Sequence, residues 1–199
     1  MKDLIIATKK FDDFLKMQLY VVFVISMSWS LILPLITKLQ GMLWATSIIS
    51  IFLILTKLTA FIAPRFKNIN LTIAYRNLII LDGLYLISLS TYFINPLLFL
   101  YVEGILMLIY TIIMSVFGIR YDAFLMKKYD VTTFENVQYA ERISMATASI
   151  IGYSIVVLLD LFTDNISTVL YVFIIILSIN LLMQIYNYIF YWKRLNIGN

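Results

Sequence analysis

The 199-residue chain is 62% hydrophobic with a mean hydropathy of +0.95, well above the roughly 45–50% apolar content of soluble domains, so its main solvent must be lipid. It contains neither Cys nor His, which excludes disulfides, thiol nucleophiles, Ser–His relays and nearly every zinc or haem site. The net charge of +4 comes from basic residues beside apolar segments, a pattern suited to anionic lipid headgroups and not to nucleic acid.

In chain order, residues 2–17 place Leu4, Phe11, Phe14 and Leu15 on one helical face with Lys and Asp opposite. That pattern predicts an amphipathic interfacial helix over 1–17, lying along the inner leaflet. Six apolar segments follow at 18–37, 43–63, 77–95, 97–118, 145–162 and 168–191, each near the roughly 20 residues a membrane helix needs. The first is too long for a signal-peptide core and has no small-x-small cleavage site, so it reads as an uncleaved anchor. Residues 18–192 thus form one six-helix transmembrane domain, and 193–199 a cytoplasmic tail.

Connections alternate short (38–42, 95–96, 163–167) and long (64–76, 119–144). In the last of these, Thr132-Thr-Phe-Glu135 reads as a capping box, predicting a helix that starts near Thr133 and runs into the fifth span. Residues 121–129 predict a further interfacial helix. At the end of the sixth span, Tyr186, Tyr188, Tyr191 and Trp192 predict an aromatic belt at the membrane surface.

Charge sets the orientation. With six spans, Lys2, Lys9, Lys10, Lys16, Arg65, Lys67, Arg76, Arg120, Lys127, Lys128, Arg142, Lys193 and Arg194 all fall on one side. Of the fifteen basic residues, Lys38 and Lys57 alone do not. The positive-inside rule puts that side, and both termini, in the cytoplasm. The expected fold is an all-α polytopic bundle, and the Ile-, Asn-, Lys-, Tyr- and Phe-rich composition points to an AT-rich gene and a bacterial inner membrane.

Ionisable side chains within spans cost about 2.5–3.5 kcal/mol on insertion scales, which makes each a functional candidate. Lys57 and Asp82 sit at matched depths, roughly 8–9 Å from the same surface at about 1.5 Å per residue, and predict an ion pair. Glu103 is set against Lys38 in the same way near the outer leaflet. Each acid reads either as half of a register-fixing pair or as a proton or cation site. Asn180, Gln184 and Asn187 form one polar stripe at i, i+4, i+7, which must face other helices or a wet cavity. Ser144, Ala148 and Gly152 repeat a small residue every fourth position, which marks a helix-packing seam.

The stretch LPLITKLQGMLWATSIISIFLILTKLTAFIAPRF (33–66), with its Pro, turn Gly and Pro-Arg exit, resembles the first two helices of a major facilitator superfamily half-unit. ENVQYAERISMATASIIGYSIVVL (135–158) is similar to that unit's fourth loop and small-residue-rich fifth helix. The resemblance implies six spans with both termini inside, and an oligomer if the chain transports, since a full member has twelve. The family's signature between helices two and three is absent, and Pro64-Arg65-Phe66-Lys67 stands in its place; no functional residue carries over.

No P-loop, nucleophile elbow or aspartate pair is present, so catalysis, cofactors and metals are not expected. Two functions remain. One is a small permease component acting as an oligomer through Asp82, Glu103 and the amide stripe. The other is a non-transporting immunity, phage-defence or sensor protein that meets a membrane or cytosolic partner through its cytoplasmic loops. A wet interior distinguishes the first and a dry one the second.

Overall fold

The computed structural model describes residues 8, 11–40, 47, 50, 51, 53–55, 57–59, 61, 70–162 and 166–194. All regular structure among them is helical: α1 (Asp13–Gln40), α2 (Leu71–Ser88), α3 (Pro96–Lys128), α4 (Val131–Phe162) and α5 (Ile166–Phe190), with short 3-10 segments at Leu89–Phe93 and Trp192–Arg194. Among the described residues, five stretches are long and apolar enough to cross a membrane: Asp13–Leu31, Leu71–Phe93, Tyr101–Lys128, Val131–Leu159 and Ser167–Phe190. These are the helices of a multi-pass membrane protein. The predicted span at 43–63 lies largely outside the described residues, and its described positions are helical.

Helix ends follow capping chemistry rather than hydropathy. Asp12 caps α1: its Oδ1 accepts from the Leu15 amide at 2.9 Å, so the helix starts at Asp13, ahead of the first apolar segment. Most of the predicted 1–17 helix lies outside the described residues, and residues 13–17 are continuous with α1. Phe11, Phe14 and Leu15, expected to face lipid, are buried in protein. Asn70 caps α2 through the Thr72 and Ile73 amides, moving that start to Leu71 from the expected 77.

The expected 119–144 connection is mostly helix, and the helix predicted to run from near Thr133 into the fifth span is α4. α3 runs to Lys128 and α4 begins at Val131, with Tyr129 and Asp130 between them. The separate interfacial helix predicted at 121–129 is instead the end of α3. The expected Thr132 capping box is replaced by Asp130, whose Oδ2 accepts from the Thr133 amide at 3.3 Å and whose carbonyl accepts from Phe134 at 2.9 Å. At about 1.5 Å per residue α3 and α4 each approach 50 Å, well beyond the ~30 Å hydrocarbon core. Their adjoining ends carry Asp122, Lys127, Lys128, Asp130, Glu135 and Arg142, the most charged parts of both helices.

The chain divides into two compact units, one made of Met1–Pro34 with Asp122–Asn187 and the other of Leu35–Tyr121 with Tyr188–Asn199. The first unit is centred on the small-residue seam. Ala148 is buried, Ser144 Oγ donates to the Leu19 carbonyl at 3.4 Å, and a Cβ built on Gly152 would lie 2.7 Å from Ser30 Cβ and 3.0 Å from the Met27 carbonyl. Any side chain at 152 would therefore push α1 away. In the second unit Trp192, fully buried, stacks on Tyr75 at 4.8 Å between ring centroids and lies near Phe117 and Tyr121. Trp192 was expected in the surface belt; it is a packed plug, because aromatic pairs worth about 0.5–1.5 kcal/mol each hold it inside. Tyr186 does remain exposed.

Candidate functional site

The first unit holds the amide stripe. Asn180, Gln184 and Asn187 share one face of α5, and all three are buried. Gln184 Nε2 donates to Asn180 Oδ1 at 3.1 Å, and Asn187 Nδ2 donates to Gln18 Oε1 at 2.5 Å. Gln18 reaches this position because α1 buries Phe14, Leu15, Gln18 and Val21 at helical spacing. Sequence reasoning missed it: a single amide near a helix entry looks like a boundary residue, although its three- and four-residue spacing from Phe14, Leu15 and Val21 places it on the inward face. The Asn187–Gln18 bond ties α5 to α1, and such bonds between membrane helices are worth about 0.6–2 kcal/mol.

The second unit holds the acids. Glu103 on α3 is 3% exposed and Asp82 on α2 is 4% exposed. Ser88 Oγ lies within hydrogen-bonding reach of both Glu103 Oε1 and the Tyr85 carbonyl, and its one proton serves a single acceptor at a time. The Tyr85 phenol also hydrogen-bonds the Glu103 carboxyl. Glu103 Oε2 is buried without a partner among the described residues. Ser88 and Tyr85 lie at i+6 and i+3 from Asp82, a relation hidden from a search restricted to charged residues.

Lys57 is exposed whereas Asp82 is buried, and no ion pair joins them among the described residues. The side chain of Lys38, the expected counterpart of Glu103, lies outside the described residues.

A third cluster lies where α3 meets α4 in the first unit. Tyr129 Oη donates to Asp12 Oδ2 at 2.7 Å, and Lys128 Nζ lies 3.8 Å from the same oxygen. The Lys128 ammonium also sits 4.9 Å from the Phe14 and Tyr129 ring centroids, and Phe14 meets Phe124 edge-on at 6.2 Å. Gln138 Nε2 donates to Asp122 Oδ1 at 2.8 Å, tying the two helix ends together. Asp12 thus caps α1 and clamps it to the hairpin. Partial burial, together with the Asp12 carboxylate, holds the Tyr129 phenol above the usual tyrosine range.

No protein-family model, curated protein or solved structure matches the chain. Among the described residues, no group of three acidic, His or Cys side chains is placed to hold a metal.

Proposed function

We propose that this chain is a six-span bacterial inner-membrane protein, both termini cytoplasmic, that acts by engaging a protein partner through the cytoplasmic hairpin around residues 122–144. The observation that carries this reading is the dryness of the polar interior. Asp82, Glu103, Asn180, Gln184 and Asn187 are each at most 4% exposed, and the amides bond to one another and to Gln18. A permeation path needs polar groups that water and substrate can reach.

The hairpin has the opposite character. Beyond the lipid it presents Met126, Val131 and Tyr139, all exposed, among charged residues. Apolar side chains clustered in a polar rim mark interaction surfaces. Immunity, defence and sensor proteins of the membrane fit this arrangement, and homo-oligomers remain compatible with it. A photoreactive residue at Val131 is expected to give a discrete cross-linked adduct in native membranes, while one at Ile87, on the exposed face of α2, gives none. Equal yields from both sites would defeat the proposal.

A second reading, a small permease component of the kind implied by the transporter half-unit resemblance, is favoured by one feature. Glu103 places a carboxyl oxygen without a described partner inside the membrane region, where ionisable groups mark ion pathways. Flux through proteoliposomes that collapses on Glu103→Gln would establish that reading instead.

A further inference from the structure

A cleft of about 500 Å³ opens in the first unit between the start of α1 and the middle of α4. Its walls change character along their length. Thr8 and Lys16 stand at one end, Leu19, Phe23 and Ile143 provide an apolar wall, and Ser144 and Thr147 add hydroxyls. Lys16 is the last charged residue on α1 before Lys38, and Arg142 the last on α4 before Asp160. The cleft therefore straddles the level at which both helices enter lipid. From Lys16 to Phe23 is seven residues, about 10 Å along the helix, which takes the cleft from headgroup depth into the acyl region.

We propose that this cleft binds one anionic glycerophospholipid, with its phosphate at Lys16 and Thr8 and an acyl chain along Leu19, Phe23 and Ile143. Charge complementarity selects the occupant, since a cation above an apolar groove at the membrane surface matches a negative headgroup above a hydrocarbon chain. The ammonium is available for the role. Its ion pair with Asp13 is 3.6 Å long between two well-exposed side chains, a type of contact worth little in water. The volume lies within the ~300–1,000 Å³ range of sites that take small organic ligands. The proposal is independent of the partner-binding role of the hairpin and stands or falls on lipid retention alone.

The test uses the full chain in nanodiscs of mixed phosphatidylglycerol and phosphatidylcholine, with retained lipid counted by native mass spectrometry. Phosphatidylglycerol is expected to be retained in excess. Lys16→Gln, at an exposed position outside the packed core, is expected to cut that excess about fivefold, as the loss of one lysine–headgroup contact implies. Thr147→Trp, which fills the cleft, is expected to remove retention of both lipids with helicity unchanged. Lys127→Gln, an exposed charge that does not line the cleft, is expected to leave retention as it was. Equal retention of the two lipids, an unaffected Lys16→Gln protein, or an equal loss in Lys127→Gln would each overturn the proposal, the last by showing diffuse surface attraction.

Discussion

The two buried polar sets are equally dry but differ in chemistry. In the first unit, Gln18, Asn180, Gln184 and Asn187 are neutral amides, with Gln184 bonded to Asn180 along α5 and Asn187 bonded across to Gln18 on α1. In the second, Glu103 is an acid served by two hydroxyls, with one oxygen lacking a described partner. Amides bonded to one another hold their helices in register, because removing one leaves its partner unsatisfied. A buried acid costs the fold more than a neutral amide does.

Substitution separates these characters. The largest effect belongs to the seam that holds the first unit closed. Gly152→Leu puts a branched side chain where a single Cβ already lies 2.7 Å from Ser30 Cβ, and it is expected to prevent α1 from docking, with loss of folded protein by size-exclusion chromatography. Even Gly152→Ala should lower unfolding free energy by about 1–3 kcal/mol, the usual cost of overpacking. Normal stability in both variants would remove the seam from the account.

Next comes the amide lock. Asn187→Leu strands Gln18 and is expected to cost about 1–3 kcal/mol. The double variant Gln18→Leu with Asn187→Leu should recover most of that loss, since no buried polar group is left unserved. Additive losses in the double variant would mean that the two amides act separately. Glu103→Gln should behave differently from Asn187→Leu. It supplies an amide donor where hydroxyl protons are short, and it is expected to leave stability unchanged or raise it slightly. A loss as large as that of Asn187→Leu would erase the contrast between the units.

The smallest effect is at the clamp. Tyr129→Phe removes the hydrogen bond to Asp12 and should cost about 1 kcal/mol or less, given the exposure of the pair. Because folding holds the Tyr129 proton more tightly than the unfolded chain does, this contribution is present below the normal tyrosine value near 10. It is lost as pH rises through the higher folded value. Wild type should therefore lose stability at alkaline pH more steeply than Tyr129→Phe; parallel profiles would show that the bond contributes nothing.

Much of the helical frame was legible in the sequence, because hydropathy reports lipid contact directly. The fifth and sixth predicted spans, 145–162 and 168–191, end close to the observed breaks at Phe162 and Phe190. Helix length outside lipid was not legible in the same way. RYDAFLMKK and VTTFENVQYAER are polar but contain no Gly or Pro, so nothing stops the helices. Both were expected to be helical, but falling hydropathy was read as the end of the fourth span, which set the first stretch apart as an interfacial helix. Thr132 looked like the better cap because it completes a motif, yet Asp130 lies nearer the break and reaches the amides first. Trp192 was assigned to the surface by its residue type, whereas Tyr75 and Phe117, far away in sequence, draw it into the core. Asp82 and Glu103 stood out as charges, while Ser88, Tyr85 and Gln18, which decide what those regions do, were silent because they are uncharged.

The central claim is that the polar interior is sealed and that the working surface is the hairpin. Because the chain has no Cys, single cysteines at Glu103, Asn180, Met126 and Val131 allow a direct test with a membrane-impermeant thiol reagent applied from each side. The account predicts rapid labelling of Met126→Cys and Val131→Cys from the cytoplasmic side only, and no labelling of Glu103→Cys or Asn180→Cys from either side. Labelling of either interior position at a rate near that of the hairpin would reveal a water-filled path and contradict it.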